Sequence, residues 1–244
     1  MAGKELKKYS NKWCSNKMVK KKITRKELLN KPDEFITFTS KLLNLLAKYQ
    51  TQVLYGVGAV VLIAITLSGY GYFHRKSESK AFSMLENNLK KYTVSLDKNS
   101  PQIALDEVKA GFIDIIGKYS GNMGGKVARL EFANICFKAG DIDTAIDLYG
   151  KALNDFSNNR FVKCQILNSL GYSYEEKKDL KSAINYFEKV IAGPDNLLKD
   201  EAYFNLGRLF AISGEENKSK EAYKKICSDF ADSSYFVIAK EHIS

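Results

Sequence analysis

The chain has 244 residues, 45% apolar and 27% charged, a composition that excludes an intrinsically disordered protein and is enough for one or two domains. Its 3 prolines and 16 glycines exclude collagen-like and proline-rich classes, and its 2 histidines and 4 cysteines are too few for a histidine-built metal site or a disulfide scaffold. Residues 1–52 hold 13 Lys/Arg against 4 Asp/Glu, so this segment carries nearly all of the net charge of +10. Residues 74–244 are close to neutral, which argues against nucleic-acid binding by the chain as a whole.

Residues 53–73 contain no charged side chain. As a helix, this run would be about 31 Å long, which matches a bilayer core of about 30 Å. Tyr55 lies near one end, and Tyr70 and Tyr72 lie near the other, as in the aromatic belts of membrane proteins. The run therefore predicts one transmembrane helix, with a buried core helix of a soluble domain as the alternative. It starts too late and is too long for a cleaved signal peptide.

The basic residues predict which side of the membrane each part occupies. The immediate flanks of the run have more Lys/Arg on the C-terminal side, but the whole N-terminal arm has many more. We give the arm more weight, because an N-terminus outside the cytoplasm would require the whole basic cluster at 20–26 to cross the membrane. Residues 1–31 are interpreted as a basic, disordered cytoplasmic arm that sets topology and contacts anionic lipid. Ribosome or nucleic-acid contact is the alternative, without a motif to support it.

Residues 32–52 have the pattern of an amphipathic helix. Pro32 near the start and two acidic residues in the first turn are typical of a helix N-terminus. The helix is predicted to lie on the cytoplasmic surface of the membrane, with binding to a partner protein as the alternative. Its apolar residues fall on one face: Phe35, Phe38, Leu42, Leu45, Leu46 and Tyr49.

The rest of the chain contains three similar segments, offset by 38 and 36 residues, each with the pattern of two helices. A period of this size indicates a helical solenoid. Each first helix has a small residue where two helices would approach closely, and each second helix has a small residue followed four positions later by an aromatic one. These residues are Ala133, Gly171 and Gly207 in the first helices, and Ala145 with Tyr149, Ala183 with Phe187 and Ser219 with Tyr223 in the second helices.

This pattern resembles the tetratricopeptide repeat, in which small residues allow close packing and aromatic residues fill the space between neighbours. The resemblance is degenerate: the usual tryptophan position holds Arg129, Leu167 and Tyr203, and Ser219 stands where alanine is expected. The predicted fold class is all-α, with one transmembrane helix followed by a tetratricopeptide-like solenoid over 74–244.

Two further elements complete the predicted solenoid. A weaker fourth unit is predicted ahead of the three clear ones, with helices at 78–92 and 103–119. A lone final helix at 234–243 would cover the apolar end of the stack.

The layout also resembles a bacterial family with a basic cytoplasmic arm, one membrane span and divergent repeats outside the cytoplasm. That family includes the ancillary subunit of the Sec translocon, which works beside a membrane-anchored periplasmic chaperone. The resemblance implies a protein of the bacterial inner membrane that acts in protein export or chaperoning, with translocon subunits, a periplasmic chaperone or client polypeptides as partners. A segment at 223–239 also resembles the repeats of outer-membrane assembly lipoproteins, so an envelope-assembly scaffold is the alternative.

The sequence offers no convincing catalytic or cofactor motif. Gly125-Lys126 lacks the other residues of a phosphate-binding loop. Asp141, Asp143 and Asp147 resemble a calcium loop, but Ala145 fills a ligand position. We therefore expect no enzymatic activity, metal, cofactor, nucleic acid or small-molecule substrate. The cysteines at 136, 164 and 227 are interpreted as small buried apolar residues, with one disulfide as the alternative.

Repeats of this family bind partners mainly through the first helix of each unit. The residue types carried over to that surface are aromatic, amide and singly charged, which suits an extended polypeptide. Tyr172 and Phe204 would anchor its apolar side chains, or else they pack between repeats. If they are anchors, alanine at both positions weakens binding and leaves the fold stable. The predicted partner-binding residues are Asn134, Phe137, Lys138, Asn168, Tyr172, Glu175, Phe204, Arg208 and Ile212.

Overall fold

The structure, a computed structural model, describes residues 34–243 and shows helices without strands in that range. The chain divides after Ser68 into two compact units, which are described separately. The basic arm predicted at 1–31 lies outside the described residues. The helices are α1 (Glu34–Lys48), α2 (Gln50–Leu96), α3 (Pro101–Lys118), α4 (Met123–Lys138), α5 (Ile142–Asp155), α6 (Arg160–Glu176), α7 (Leu180–Ile191), α8 (Lys199–Ile212), α9 (Glu216–Asp229) and α10 (Phe236–Ile243).

The first unit contains α1 and the start of α2. The amphipathic segment predicted at 32–52 corresponds to α1, which ends at Lys48, and the next helix begins two residues later. The apolar face of α1 is exposed to solvent: Phe38, Leu42, Leu45 and Leu46 are all at least 41% exposed. An exposed face of this kind is typical of a helix that binds a membrane surface or a partner.

Within the described residues, α2 is the one helix that is long and apolar enough to cross a membrane, by length and composition. It contains the uncharged run at 53–73, and none of its most apolar stretch is buried inside the protein. A core helix of a soluble domain would be mostly buried, so the exposure of this stretch disfavours that alternative.

The second unit is a stack of helical hairpins, which confirms the predicted all-α repeat fold. The three repeats are α4/α5, α6/α7 and α8/α9, and each helix from α3 onwards packs against the next one in the chain. The small residues act as predicted: a Cβ atom at Gly171 would lie 2.7 Å from the Phe187 ring, and one at Gly207 would lie 2.7 Å from the Tyr223 ring. Because such contacts are too short, only glycine lets the two helices of these hairpins come so close.

A fourth hairpin precedes these three. Its first helix is the later part of α2, which extends to Leu96, and its second helix is α3. Leu85 and Tyr92 of α2 are buried with Leu105 and Phe112 of α3. The Phe112 ring stacks on Phe132 of α4 with ring centroids 5.1 Å apart, so the fourth hairpin shares a core with the first clear repeat. At the other end of the stack, α10 begins two residues later than predicted and buries Ala239 against Tyr223 and Ile226 of α9.

Candidate functional site

The predicted partner-binding residues lie on α4, α6 and α8, the first helix of each repeat. We call the surface formed by these three helices the first-helix face. The structure brings the α6 and α8 residues into contact with each other, whereas those of α4 contact mainly their own hairpin. This difference separates residues that hold repeats together from residues that are available to a partner.

A hydrogen-bond network links α6 to α8, centred on Glu201, a residue that the sequence reasoning missed. One Glu201 carboxylate oxygen accepts from the Asn168 amide at 3.1 Å and from the Tyr172 hydroxyl at 2.6 Å. The Asn205 amide in turn donates to the Tyr172 hydroxyl oxygen at 2.8 Å. Tyr172 is therefore held on both sides, by residues one repeat further along the chain.

Arg208 and Glu175 extend the same network. The guanidinium of Arg208 donates to both oxygens of the Glu175 carboxylate, at 2.5 and 2.8 Å, and also to the Asn205 side-chain oxygen at 3.1 Å. This two-point geometry fixes the two planar groups against each other. The charges of this pair cancel, so neither residue gives the first-helix face a net charge.

The surroundings of Tyr172 and Arg208 keep both groups in their ordinary protonation states at neutral pH. Burial raises the pKa of Tyr172, and its hydrogen bond to the Glu201 carboxylate raises it further, so the hydroxyl remains a donor. The hydrogen bond to Glu175 raises the pKa of Arg208, which remains a cation. Tyr172 and Arg208 therefore keep their hydrogen bonds at neutral pH, and the network has a structural role.

The sequence contains one signal that could have revealed this network. The pairs Asn168–Glu201, Tyr172–Asn205 and Glu175–Arg208 are each separated by 33 residues. This separation is three residues, or about one helical turn, shorter than the 36-residue offset between Gly171 and Gly207, so each α6 residue meets the α8 residue one turn N-terminal to its own counterpart. The alignment of the small residues alone does not indicate these pairs.

The two predicted aromatic anchors pack within the repeat domain. Tyr172 meets the Phe187 ring edge-on at 5.3 Å between centroids. Phe204 stacks on Tyr235 at 4.7 Å and meets Tyr223 at 6.1 Å. These ring contacts join α6 to α7, and α8 to α9 and the turn before α10. They favour packing within the fold over a role as free anchors, and we therefore expect alanine at either position to destabilise the fold.

The remaining predicted residues differ in exposure. The Asn134 side chain accepts a hydrogen bond from the Tyr149 hydroxyl at 2.7 Å, and Phe137 packs partly buried against the core. Lys138 is exposed, and Ile212 is 61% exposed. Asn168 is 8% exposed, and its side-chain oxygen has no hydrogen-bond partner within the described residues. Of the nine residues, Lys138 and Ile212 are the ones most accessible to a partner.

The cysteines of the repeat domain are free thiols. Cys136 is fully buried, and burial raises the pKa of its thiol to about 12, with a further increase from the nearby Asp141 carboxylate. Cys164 and Cys227 are half-buried. A thiol with such a raised pKa is a poor nucleophile, so Cys136 acts as a small apolar residue. Across residues 34–243, no group of His, Cys, Asp and Glu is arranged to hold a metal ion.

Comparisons with known proteins agree with this architecture. Two segments, residues 165–192 and 200–228, match the model of the tetratricopeptide repeat family. They coincide with the hairpins α6/α7 and α8/α9. No curated protein sequence matches the chain.

Several solved structures share the fold at low sequence identity. A tetratricopeptide repeat protein from Parabacteroides merdae is 17% identical with a TM-score of 0.53, and the match covers 66% of this chain and 59% of that one. The MamA protein is 19% identical with a TM-score of 0.50, covering 66% of this chain and 79% of that one. A putative kinesin light chain from Podosopora anserina with TPR-like repeats is 10% identical with a TM-score of 0.50, covering 68% and 84%. The hairpins α6/α7 and α8/α9 therefore match the tetratricopeptide repeat model, and the solved structures share the fold of the stack.

Proposed function

We propose that this protein is a non-enzymatic, membrane-anchored interaction module that presents its repeats to polypeptides outside the cytoplasm, at the Sec translocon of a bacterial inner membrane. One observation carries the proposal: the uncharged run at 53–73 lies exposed on α2, and it is followed by tetratricopeptide repeats. A run of this length and exposure has the properties that a bilayer requires. The basic arm before it supports a cytoplasmic N-terminus.

The first-helix face suggests the type of partner. Its charged pair Arg208–Glu175 is internally neutralised, and Lys138 and Ile212 are accessible. Among the nine predicted residues the basic ones are Arg208, which is paired with Glu175, and Lys138. A mixed and nearly neutral surface suits translocon subunits, a periplasmic chaperone or extended client polypeptides.

Membrane topology is tested with single cysteines in a variant whose four native cysteines are replaced by alanine. Ser100→Cys is a suitable outside probe, because Ser100 is exposed and its side chain makes no capping hydrogen bond to α3. Ser10→Cys is the matching probe on the basic arm. In intact cells, a membrane-impermeant maleimide should label Ser100→Cys and leave Ser10→Cys unlabelled until the membrane is opened. Labelling of Ser10→Cys alone would overturn the orientation.

The partner is tested by photo-crosslinking in intact membranes. A photoreactive amino acid at Ile212 samples the first-helix face, and one at Ile113 on α3, which is 55% exposed, is the matched control. The proposal expects Ile212 to capture translocon subunits, a periplasmic chaperone or exported polypeptides, and Ile113 to capture none of them. Capture of outer-membrane assembly factors instead would identify an envelope scaffold, and equal capture at both positions would overturn a specific role of this face.

A further inference from the structure

A second candidate binding surface lies away from the first-helix face, at the edge of the stack where one repeat is joined to the next. It is a cleft of about 580 Å³ bounded by the end of α5, the start of α6, the end of α7 and the loop that follows α7. A volume of this size is typical of ligand-binding pockets and accommodates a few side chains of a partner. We call it the joint cleft.

The long loop between α7 and α8 creates the joint cleft. The segment at 192–198 that connects these helices is longer than the segment at 156–159 that connects α5 to α6. Leu198 adopts a left-handed backbone conformation with φ 56°, and the Cys164 thiol donates to the Leu197 carbonyl oxygen at 3.2 Å. The loop thus forms one wall of the cleft, held by a contact to α6.

The floor of the joint cleft is apolar. Leu167 and Val190 are buried beneath it, and Leu153 and Leu197 line it in half-buried positions. The half-buried Leu153 and Leu197 leave apolar surface open to solvent, and covering it gains about 25 cal/mol for each Å² removed from water. An apolar side chain of a partner is therefore expected to bind in the joint cleft.

The rim of the joint cleft is mainly basic. Three cations line it, Arg160, Lys163 and Lys189, against one carboxylate, Asp195. The Arg160–Asp195 pair is 3.6 Å apart with both side chains more than half exposed, so water screens it strongly. The Lys189 ammonium group lies 4.4 Å from the centre of the Tyr186 ring, and the structure shows no carboxylate as its ion-pair partner among the described residues. The rim therefore favours a partner that carries carboxylates.

We propose that the joint cleft binds a protein segment in which apolar side chains alternate with aspartate or glutamate. The apolar side chains would cover Leu153 and Leu197, and the carboxylates would pair with Lys163 and Lys189. The proposal rests on the proposed function, since it names a second contact of the same interaction module. It differs from the first-helix face in charge, which is nearly neutral there and basic here.

Two synthetic peptides of about twelve residues test the proposal by fluorescence polarisation with the full chain in detergent. Both alternate leucine and phenylalanine with charged residues, acidic in one peptide and basic in the other. We expect the acidic peptide to bind at least about tenfold more tightly.

Lys163→Glu combined with Lys189→Glu should remove or reverse this preference. Lys90→Glu combined with Lys109→Glu, an equal charge change at exposed positions on α2 and α3, should leave it intact. Equal affinity for both peptides would overturn the proposal.

Cys164 gives a local measure of occupancy. Because its thiol lines the cleft, bound acidic peptide should slow alkylation of Cys164 by N-ethylmaleimide and leave that of Cys227, which does not line the cleft, unchanged. Protection by phosphatidylglycerol vesicles in place of the peptide would assign the cleft to lipid and overturn the proposal. Crosslinking at Ile212 reports on the proposed function separately, so loss of peptide binding with Ile212 crosslinks retained would reject the joint cleft alone.

Discussion

The two ends of the repeat stack are held by different forces. At the first clear repeat, the Glu78 carboxylate of α2 accepts hydrogen bonds from the Gly124 N–H at 2.6 Å, the Met123 N–H at 3.1 Å and the Asn122 amide at 3.1 Å. These donors surround the N-terminus of α4, where backbone N–H groups lack partners within the helix. The Glu78 carboxylate of α2 thus caps α4, the first helix of the first clear repeat.

The C-terminal end is closed by aromatic rings instead. Tyr235 stacks on Phe204 at 4.7 Å, and His242 lies flat on Tyr223 at 4.5 Å between ring centroids. Both contacts hold α10 and its preceding turn against α8 and α9. Every solenoid must cover the apolar faces of its terminal repeats. The hairpin α2/α3 covers the first clear repeat with Phe112 stacked on Phe132 and adds the Glu78 cap, whereas α10 covers the last repeat with ring stacks. The comparison teaches that the two ends will respond differently to substitution and that the Glu78 cap adds a response to acid at one of them.

The largest expected effect is at the C-terminal end. Phe204→Ala removes the ring on which Tyr235 stacks, and because Phe204 is half-buried we expect a loss of about 2–3 kcal/mol in the free energy of local opening. Hydrogen exchange of the full chain in detergent, followed in peptides covering 200–243, measures this loss. Phe161→Ala, at a ring that is 55% exposed, is the control and should change exchange little. Unchanged protection in Phe204→Ala would mean that stacking does not hold this end.

A smaller effect is expected at the N-terminal end. Glu78→Gln keeps a side-chain oxygen but loses the negative charge, so the hydrogen bonds to α4 weaken by about 1–2 kcal/mol in total. Faster exchange at 122–126 at neutral pH would register this change. Glu86→Gln, an exposed carboxylate on the same helix, is the matched control. Equal behaviour of the two variants would contradict a capping role for Glu78.

The stabilisation by the Glu78 cap is expected to depend on pH. Partial burial alone would raise the pKa of Glu78, but the hydrogen bonds from Gly124, Asn122 and Met123 outweigh it and lower the pKa below its ordinary value of 4.5. A lowered folded pKa means that the stabilisation is present above about pH 4.5 and disappears as the pH falls through the folded value.

Exchange measured from pH 7 down to pH 3 and corrected for the intrinsic rate should therefore show protection at 122–126 falling in acid. This fall should be absent in Glu78→Gln, which has no carboxylate to protonate. The fall should persist in Glu86→Gln, whose exposed carboxylate is not part of the cap. An equal acid response in Glu78→Gln and in the wild type would mean that the Glu78 cap is not the group that responds to acid.

Much of this architecture follows from local patterns in the sequence. The hairpins were predictable because small residues such as Gly171 and aromatic residues such as Phe187 recur at the repeat offset, and close packing forces that combination. The candidate transmembrane helix was predictable as well, because it depends only on consecutive uncharged residues, those at 53–73.

The contacts between repeats were not predictable in the same way. Glu78 and Gly124 are 46 residues apart, and nothing in either local sequence indicates the other. The role of Glu201 was not predictable, because an acidic residue in the first turn of a helix is favourable there without any other partner. Its partners on α6 become known only from the structure. Tyr172 and Phe204 have two possible roles, and their contacts with Glu201 and Tyr235, which favour packing, are not visible in the local sequence. The export role and the membrane topology stay predictions.

The smallest effect is expected between the two ends, in the turn that joins α6 to α7. In all three repeats this turn is closed by the same backbone hydrogen bond, from Asp141 to Cys136, from Asp179 to Tyr174 and from Glu215 to Phe210. It requires a left-handed residue, which is Gly140 in the first repeat and Gly214 in the third. The middle repeat has Lys178 there, with φ 65°.

Lys178→Gly should therefore stabilise the middle repeat. A left-handed residue with a Cβ costs roughly 1 kcal/mol, and the greater freedom of glycine in the unfolded chain offsets part of the gain, so about 0.5 kcal/mol remains. Lys181→Gly, at an exposed position in the first turn of α7, is the control and should destabilise instead, because no left-handed conformation is needed there. Urea unfolding of the two variants should move the midpoint in opposite directions.

Since neither the Glu78 cap nor the Tyr235 stack contacts this turn, exchange at 122–126 and 235–243 should match the wild type in Lys178→Gly. A change at either end would show that the ends are coupled through the middle repeat and are not independent closures.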